Sequence, residues 1–204
     1  MLYSCPGFIL LGKILEKVDG KRLDTAFLEQ VAAPLQRKES GFLPAERERI
    51  VNSNRSEDEI SLINDYDCRF LGGVAGNAGL FYSLCDVRTY VTMLQNRGDN
   101  LFGAELFARA VQNWTPGMSA SRGLGFQYVD DGSPQTGNLF REGNVGHCGH
   151  TGQSVFVDER SGLYAILLTD ATICTVRKYG TERYAEVMRM RGEIHRAVKE
   201  DLGL

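Results

Sequence analysis

Apolar residues near the start of the chain recur every three or four positions, which is the pattern of an amphipathic helix. This stripe consists of Phe8, Leu11, Ile14, Leu15 and Val18. Pro6 suits the first turn of a helix, where its missing N–H costs nothing, and Gly20 ends the pattern. We therefore predict a helix that begins near Pro6 and ends before Gly20.

Further helices are predicted from caps and terminators. A second helix covers about 24–33, with Asp24 or Thr25 as N-cap and Pro34 as terminator. Ser83 to Asp86 forms the capping box S-x-x-D and opens a third helix, which Gly98 closes. We predict one more short helix over residues 101–111. The last helix carries the apolar stripe Tyr184, Val187, Met188, Ile194 and Val198.

The second half of the chain carries the β-prone runs. Residues 153–158 and 163–169 flank a short polar loop containing Gly162, which predicts an antiparallel hairpin. A further strand is predicted over 123–129. Because the helices and strands do not alternate as βαβ units, the fold class is α+β, an antiparallel sheet flanked by helices. We expect one domain over 1–204, with a helical part at about 6–120 and the sheet and terminal helix at about 121–204.

Composition narrows the function classes. The net charge is only −3, so nothing favours binding to nucleic acid. No apolar run approaches the length that a bilayer span requires. The five cysteines are scattered and odd in number, which indicates reduced thiols and a cytoplasmic setting. The polar stretch 36–60 predicts a long surface excursion. Since the chain enters a helix at once, we expect that a preceding segment has been removed.

Two glycine-rich stretches are candidate walls of a cleft. Residues 144–158 contain two of the three histidines, with glycines beside them where a strand begins. Residues 72–79 fit neither the dinucleotide motif G-x-G-x-x-G nor the P-loop, so phosphate binding is not expected. Trp114, the single tryptophan, could line the same cleft as Asn77. The third histidine, His195, lies among charges on the last helix and is interpreted as a surface or satisfied residue.

Several of these segments resemble, in order, the class C branch of the serine β-lactamase, DD-peptidase and esterase superfamily. Tyr3-Ser4-Cys5 and the following helix resemble the Tyr-x-Asn motif, and residues 71–81 resemble the Gly-rich loop before a helix. Residues 146–152 resemble the His-Thr-Gly motif, which replaces Lys-Thr-Gly in some members. The helix at 191–195 also fits. The resemblance implies the C-terminal portion of a β-lactamase and transpeptidase-like fold.

The resemblance also implies roles for individual residues. In this family a serine of a Ser-x-x-Lys motif attacks a carbonyl while a lysine and a tyrosine move protons. Tyr3 would then assist proton transfer, and His147 would face it from the strand. The backbone N–H of His150 would help to hold the oxyanion, and Gly149 would leave room for the acyl group. No metal or cofactor is implied, and the partner would be a small acyl substrate.

This sequence departs from the family pattern at several positions. Serine is nowhere followed by lysine three residues later, so the nucleophile is missing from this chain. Cys5 stands where Asn is expected, Cys148 where Thr is expected, and Asn77 where many members have His. We nevertheless count these three among the oxyanion and substrate-binding candidates. A chain that lacks the serine helix should expose a sheet edge and apolar surface, which favours self-association.

Two other site chemistries are weaker interpretations of the same residues. His147 and Cys148 are potential zinc ligands, but consecutive strand residues point to opposite faces and no second cluster completes the set. Cys5 could be a nucleophile beside His147, although a small buried cysteine at a helix start is the commoner case. Two functions stay open: the C-terminal portion of a serine hydrolase, inactive as this chain alone, or a non-catalytic binding or scaffold module of the same fold.

Overall fold

A computed structural model describes residues 4–37, 39–51, 63–130, 133–169 and 173–204 of the chain. The described residues form two compact units that meet in sequence between Thr89 and Tyr90. Both units mix helices with antiparallel strands, as the sequence predicts, and each is described by itself.

The first unit contains helices and one small two-stranded sheet. In chain order its elements are α1 (Cys5–Asp19), α2 (Leu23–Phe27) continued by a π-helical turn (Leu28–Ala32), β1 (Gly41–Phe42), a 3-10 turn (Arg47–Arg49), α3 (Tyr66–Phe70), β2 (Leu80–Phe81) and the first half of α4 (Leu84–Gln95). Strands β1 and β2 pair antiparallel, with Gly41 opposite Phe81. The predicted surface excursion at 36–60 therefore contributes a strand, although part of it lies outside the described residues.

Helix α1 has the predicted boundaries. The Ser4 hydroxyl caps it by accepting a 3.1 Å hydrogen bond from the Gly7 N–H, and Gly20 ends it in the left-handed conformation. The predicted apolar stripe, however, is not buried in this chain: Leu15 is 50 % exposed and Val18 is 81 % exposed. Only Gly12 of this helix is buried, so α1 presents an apolar face that the described residues do not cover.

Two predicted helix caps form differently from the prediction. Helix α2 begins after Arg22, whose side chain makes no cap, so the prediction of Asp24 or Thr25 as N-cap is wrong. Asp24 is instead the second residue of the helix, and its carboxylate accepts from the Arg22 guanidinium at 2.7 Å and from the Thr25 N–H at 2.8 Å. In the predicted capping box, the Ser83 hydroxyl does accept from the Asp86 N–H at 3.2 Å. The buried Asp86 carboxylate turns away and accepts from the Ser40 hydroxyl at 2.6 Å.

The second unit carries the main sheet. Its elements after the end of α4 are α5 (Gly103–Val111), β3 (Gln127–Tyr128), a 3-10 turn (Pro134–Thr136), β4 (Val145–Cys148), β5 (Ser154–Val157), β6 (Tyr164–Leu167) and α6 (Ile173–Asp201). The four strands pair antiparallel in the order β3-β4-β5-β6. The predicted hairpin is confirmed as β5 and β6. The strand expected over 123–129 is confirmed only at Gln127 and Tyr128.

Alternation along the strands separates the two faces of this sheet. Phe156 of β5 is fully buried and packs with Val129, Leu139 and Phe140 in one core cluster, to which Cys148 of β4 adds a partly buried side chain. Residues one position away on each strand face the opposite side. His147 therefore lies on the face opposite the Phe156 cluster, beside its cross-strand partner Val155.

Helix α6 buries a polar face against this unit. Arg191 and His195 are 7 % and 2 % exposed, whereas Ile194 and Val198 of the predicted apolar stripe are 36 % and 38 % exposed. A Cβ on Gly192 would stand 2.4 Å from the Pro134 carbonyl oxygen, so this glycine lets the helix approach the 3-10 turn closely. The prediction of this helix is confirmed, but Ile194 and Val198 of its stripe are not the residues that it buries. The side chains of Tyr184, Val187 and Met188, which complete the predicted stripe, lie outside the described residues.

Candidate active site

The end of β4 and the turn that follows it form the candidate site. Strand β3 pairs only with Val145 and Gly146, so the edge of β4 facing β3 has no strand partner among the described residues at His147 and beyond. On the other side, β5 pairs with His147 and Cys148. This arrangement leaves one side of the strand end accessible to a ligand, in the way that an unpaired edge can accept an extended chain.

His147 has a defined protonation state at this strand end. Its Nδ1 lies 3.0 Å from the Cys148 carbonyl oxygen, which can only accept, so Nδ1 carries the proton in the neutral ring. Burial lowers the pKa of His147 below its ordinary value, and the charges of Arg122 and Arg191 act in the same direction, against the backbone hydrogen bond that raises it. The ring is therefore neutral near pH 7, with Nε2 able to accept a proton.

Cys148 is a packing residue rather than a reactive thiol. Its side chain contacts the Phe156 core cluster, and burial raises the pKa of its thiol above the ordinary value. A raised pKa leaves little thiolate, which is the nucleophilic form. Cys148 thus fills the position where the family pattern expects Thr without supplying a nucleophile.

The turn 149–153 is closed by its own backbone. The Gly149 N–H donates to the Gln153 carbonyl at 2.8 Å, and the Gly152 N–H donates to the Gly149 carbonyl at 3.2 Å. Gly149 and His150 are exposed, whereas Thr151 and Gly152 are buried. The Gly149 amide is therefore committed to the hairpin, and the next amide along the chain is that of His150.

Sequence reasoning missed the two arginines that act on this site. Arg191 of α6 donates from Nε to the Gly152 carbonyl and from Nη2 to the Gly149 carbonyl, both at 3.2 Å. Arg122 lies in the segment before β3 and donates its backbone N–H to the Thr115 hydroxyl at 2.9 Å. Neither residue was among the site candidates from the sequence. The signal that could have found Arg191 is its position four residues before His195, beside Gly192, on one helix face.

The other predicted site residues lie elsewhere. Tyr3 lies outside the described residues. Cys5 is the first residue of α1 and Asn77 lies in the loop before β2, both in the first unit. The Asn77 amide donates to the Asp65 carboxylate at 3.1 Å, and the same carboxylate caps α3 by accepting from the Cys68 N–H at 2.7 Å. Asn77 is thus tied to a helix cap.

Asn77 also lines an apolar pocket of about 290 Å³ within the first unit. Its Oδ1 atom is buried without a hydrogen-bond partner among the described residues. The pocket wall includes Phe8, Leu11 and Leu15 from the exposed stripe of α1. The pocket therefore continues the apolar surface of that helix.

Other features bear on the alternative chemistries. Within the described ranges, no three His, Cys, Asp or Glu side chains converge as metal ligands would. No helix among the described residues is both long and apolar enough to cross a membrane.

Trp114 donates its indole N–H to the Arg109 carbonyl at 2.8 Å and is 45 % exposed. His195, predicted to be a surface or satisfied residue, is buried and donates from Nδ1 to the Gln135 carbonyl at 2.9 Å.

The described elements make this an α+β protein, with helices and antiparallel strands. The sequence model of the β-lactamase family matches residues 1–187. The chain therefore belongs to the β-lactamase family, a family of serine hydrolase type, as the motifs in its sequence predict.

Curated relatives of this chain carry related descriptions. It is 26 % identical over 193 residues to the N-acetylmuramyl-L-alanine amidase of Bacillus subtilis (strain 168), a match that covers 83 % of this chain and 44 % of that protein. It is 26 % identical over 197 residues to a putative D-alanyl-D-alanine carboxypeptidase of Escherichia coli O157:H7, with the same coverage. The chain thus spans under half the length of these relatives.

A solved structure supports the fold. A β-lactamase from Mycobacterium bovis superimposes with a TM-score of 0.70 at 19 % identity, and the match covers 100 % of this chain and 65 % of that chain. The similarity confirms the β-lactamase-like α+β fold over the whole length of this chain.

Proposed function

We propose that this chain supplies one wall of an acyl-transfer site, as the C-terminal portion of a serine hydrolase, and does not form an acyl-enzyme by itself. The observation that carries the proposal is the neutral His147, held by the Cys148 carbonyl at the open end of β4. A neutral imidazole with an available Nε2 suits proton transfer at neutral pH. The family motif makes the backbone N–H of His150 the candidate oxyanion donor of this site.

The proposed substrates are acyl compounds that could lie along β4: β-lactams, peptidoglycan peptides or small esters. The amidase and carboxypeptidase relatives favour an amide or peptide bond. By the family motif, Tyr3 would complete the proton-transfer pair. Gly149 would leave space beside the strand, and Cys5, Cys148 and Asn77 would occupy the other motif positions. These assignments rest on the family motifs rather than on a bound ligand.

The sequence supports the proposed inactivity of the chain alone. No serine here precedes a lysine by three residues, so a Ser-x-x-Lys nucleophile would have to come from another segment. The test compares this chain with a longer reading frame that joins a Ser-x-x-Lys segment to it. Each protein is incubated with a fluorescent penicillin and with a p-nitrophenyl ester.

We expect covalent labelling and a burst of nitrophenol from the longer protein and neither from this chain. A burst from the 204-residue chain alone would contradict the proposed dependence on an external serine. Loss of labelling in a His147→Ala variant of the longer protein would support the role of His147. Unchanged labelling in that variant would remove His147 from the mechanism.

The alternative function is a non-catalytic binding or scaffold module. The absence of the Ser-x-x-Lys motif from the sequence favours it. Calorimetric titration with an intact penicillin distinguishes the two functions. Reversible binding by this chain, with no turnover in the longer protein, would favour the module.

We also propose that the chain self-associates through the edge of its sheet. Strand β6 has a partner only on the β5 side among the described strands, so its other side can pair with another copy. The experiment on this proposal also involves the exposed face of α1 and is given in the Discussion.

A further inference from the structure

Arg191 stands out as a buried charge that holds the backbone of the candidate site. Its side chain is almost fully enclosed, at 7 % exposure, although arginine is rarely buried without a reason. No ion pair joins it to a carboxylate among the described residues. A buried guanidinium needs compensating partners, and here two main-chain carbonyls supply them.

The two carbonyls belong to the ends of one short turn. Nη2 of Arg191 donates to the Gly149 oxygen and Nε donates to the Gly152 oxygen. The Gly149 oxygen also accepts the Gly152 N–H, so both ends of the turn are joined directly and again through the arginine. His150 lies between these two anchored residues. Its backbone orientation therefore depends on the spacing that the guanidinium imposes.

We propose that Arg191 is a positioning residue, which holds the turn 149–152 so that the backbone of His150 faces the site. This inference rests on the proposed function for its catalytic meaning, but the clamp on the turn can be tested without it. Arg191 lies beyond the residues 1–187 that match the family, so the match does not assign it a role. Its positive charge, which is not paired with a carboxylate among the described residues, also favours negative charge that develops near the turn.

Arginine suits this position better than lysine. Its guanidinium presents several N–H groups in one rigid plane, so two carbonyls can be held at a set distance from each other. A lysine ammonium is a single point on a flexible stem and imposes no such spacing. Comparing Arg191→Lys with the wild type therefore distinguishes the effect of the fixed spacing from the effect of the positive charge.

The first experiment measures amide hydrogen exchange by NMR in this chain and in three variants. Arg191→Met removes both hydrogen bonds but keeps an apolar stem, and Arg191→Lys keeps the charge. Arg189→Met is the matched control, because Arg189 is exposed on the same helix. The Asp158 N–H, which donates to the Leu163 carbonyl at the far end of β5, is the internal reference.

We expect exchange at Gly149 and Gly152 to quicken about tenfold or more in Arg191→Met, because bonds from charged donors are among the stronger ones in proteins. Arg191→Lys should give a smaller increase, and Arg189→Met none. Exchange at Asp158 should stay unchanged throughout. Wild-type exchange at Gly149 and Gly152 in Arg191→Met, or an equal increase at Asp158, would overturn the clamp.

If Arg191→Met does not fold, Arg191→Lys decides the matter by the same measurement. A selective increase at Gly149 and Gly152 supports the clamp, and wild-type exchange there overturns it.

The second experiment uses the longer, serine-containing protein and nitrophenyl ester turnover. Arg191→Met should lower kcat about tenfold while KM changes little, because a displaced oxyanion donor acts in the transition state. Arg191→Lys should recover part of kcat. An unchanged kcat would overturn the positioning role even if the clamp exists. Absence of turnover in the wild-type protein would instead refute the proposed function and leave the exchange result standing.

Discussion

At the scale of single residues, the sequence makes His147 a site candidate but does not show what lowers the pKa of its ring. The glycines around His147 and the hairpin after it can be recognised from neighbouring residues in the sequence. The arginines that lower the pKa of His147 come from residues 122 and 191, which are remote in sequence. Cys148 was also placed correctly on the strand, because alternation follows from local geometry, whereas its contact with the Phe156 cluster required the fold.

The first prediction concerns the titration of His147. Removing the positive charge of Arg122 should raise the pKa of His147, because that charge disfavours the imidazolium. The measurement is the midpoint of the His147 ring resonance in NMR spectra of Arg122→Met between about pH 4.5 and 8.5, a window about two units either side of the ordinary histidine pKa. Arg160→Met is the control, since the exposed Arg160 is not among the causes of the shift. A midpoint equal to that of the wild type would contradict the assignment.

The second prediction concerns His195, which links stability to pH. Its Nδ1 donates to the Gln135 carbonyl, and its Nε2 is buried with no partner among the described residues. The ring also meets Phe140 and Phe156 edge to face. A second proton on Nε2 would have no acceptor, so burial lowers the pKa of His195 below 6.5 in the folded protein.

The sign of the pH effect follows directly. Below about pH 6.5 the unfolded chain binds a proton that the folded chain does not, so the free energy of unfolding falls as the pH drops. The loss is up to about 1.4 kcal/mol per pH unit for each such group, until the folded pKa is reached. His147 contributes in the same direction, because burial lowers the pKa of that ring as well.

Urea denaturation at pH 7 and pH 5 measures this effect. We expect His195→Asn, which keeps a donor for the Gln135 carbonyl, to lose less stability on acidification than the wild type. His150→Asn serves as the control, because His150 is exposed. Equal pH dependence in the wild type and His195→Asn would show that His195 is not the group responsible.

At the scale of elements, the ends of α1 were predicted well, whereas the N-cap of α2 was not. Ser4, Pro6 and Gly20 define α1 through contacts within a few residues, so their signal is in the sequence. The buried face of α6 could not be predicted, because apolar periodicity favours Ile194 and Val198. Carbonyl oxygens of distant turns accept hydrogen bonds from Arg191 and from Nδ1 of His195, which lowers the cost of burying this polar face.

The third prediction tests the close packing of α6. Alanine in place of a helical glycine ordinarily stabilises by about 1 kcal/mol. At Gly192, however, the added Cβ would stand 2.4 Å from the Pro134 carbonyl oxygen, which is backbone and cannot turn aside. We expect Gly192→Ala to lower the free energy of unfolding by about 1–3 kcal/mol, the usual cost of overpacking.

The check is again urea denaturation, this time with Glu193→Ala as the control on the same helix. Glu193 is exposed, so its replacement should change the free energy of unfolding by less than about 0.5 kcal/mol. A stabilised Gly192→Ala variant would mean that helix propensity outweighs the contact and that α6 does not need this approach to the 3-10 turn.

At the scale of the whole molecule, the family and the α+β class were predicted correctly, since several motifs occur in the right order. We also predicted exposed apolar surface, and helix α1 carries such a surface. That helix was predicted from an apolar stripe, yet the stripe is open and borders the 290 Å³ pocket of the first unit. An apolar stripe predicts a helix but does not show which residues will pack against that stripe.

The last prediction follows from that open stripe. Exposed apolar area of this kind favours association, at roughly 25 cal/mol for each Å² removed from water. We expect sedimentation velocity to show concentration-dependent self-association of this chain. Leu15→Gln with Val18→Gln should weaken it, and Lys17→Gln on the same helix should not.

An Ile166→Pro variant tests the sheet edge. Leu163 hydrogen-bonds across to Asp158, and backbone groups alternate along a strand, so the Ile166 N–H points away from β5 toward the open edge. We expect the stripe to contribute more than the edge, since β6 is only four residues long. A monomeric wild type at all concentrations would contradict both surfaces, and an effect of Ile166→Pro alone would assign association to the edge.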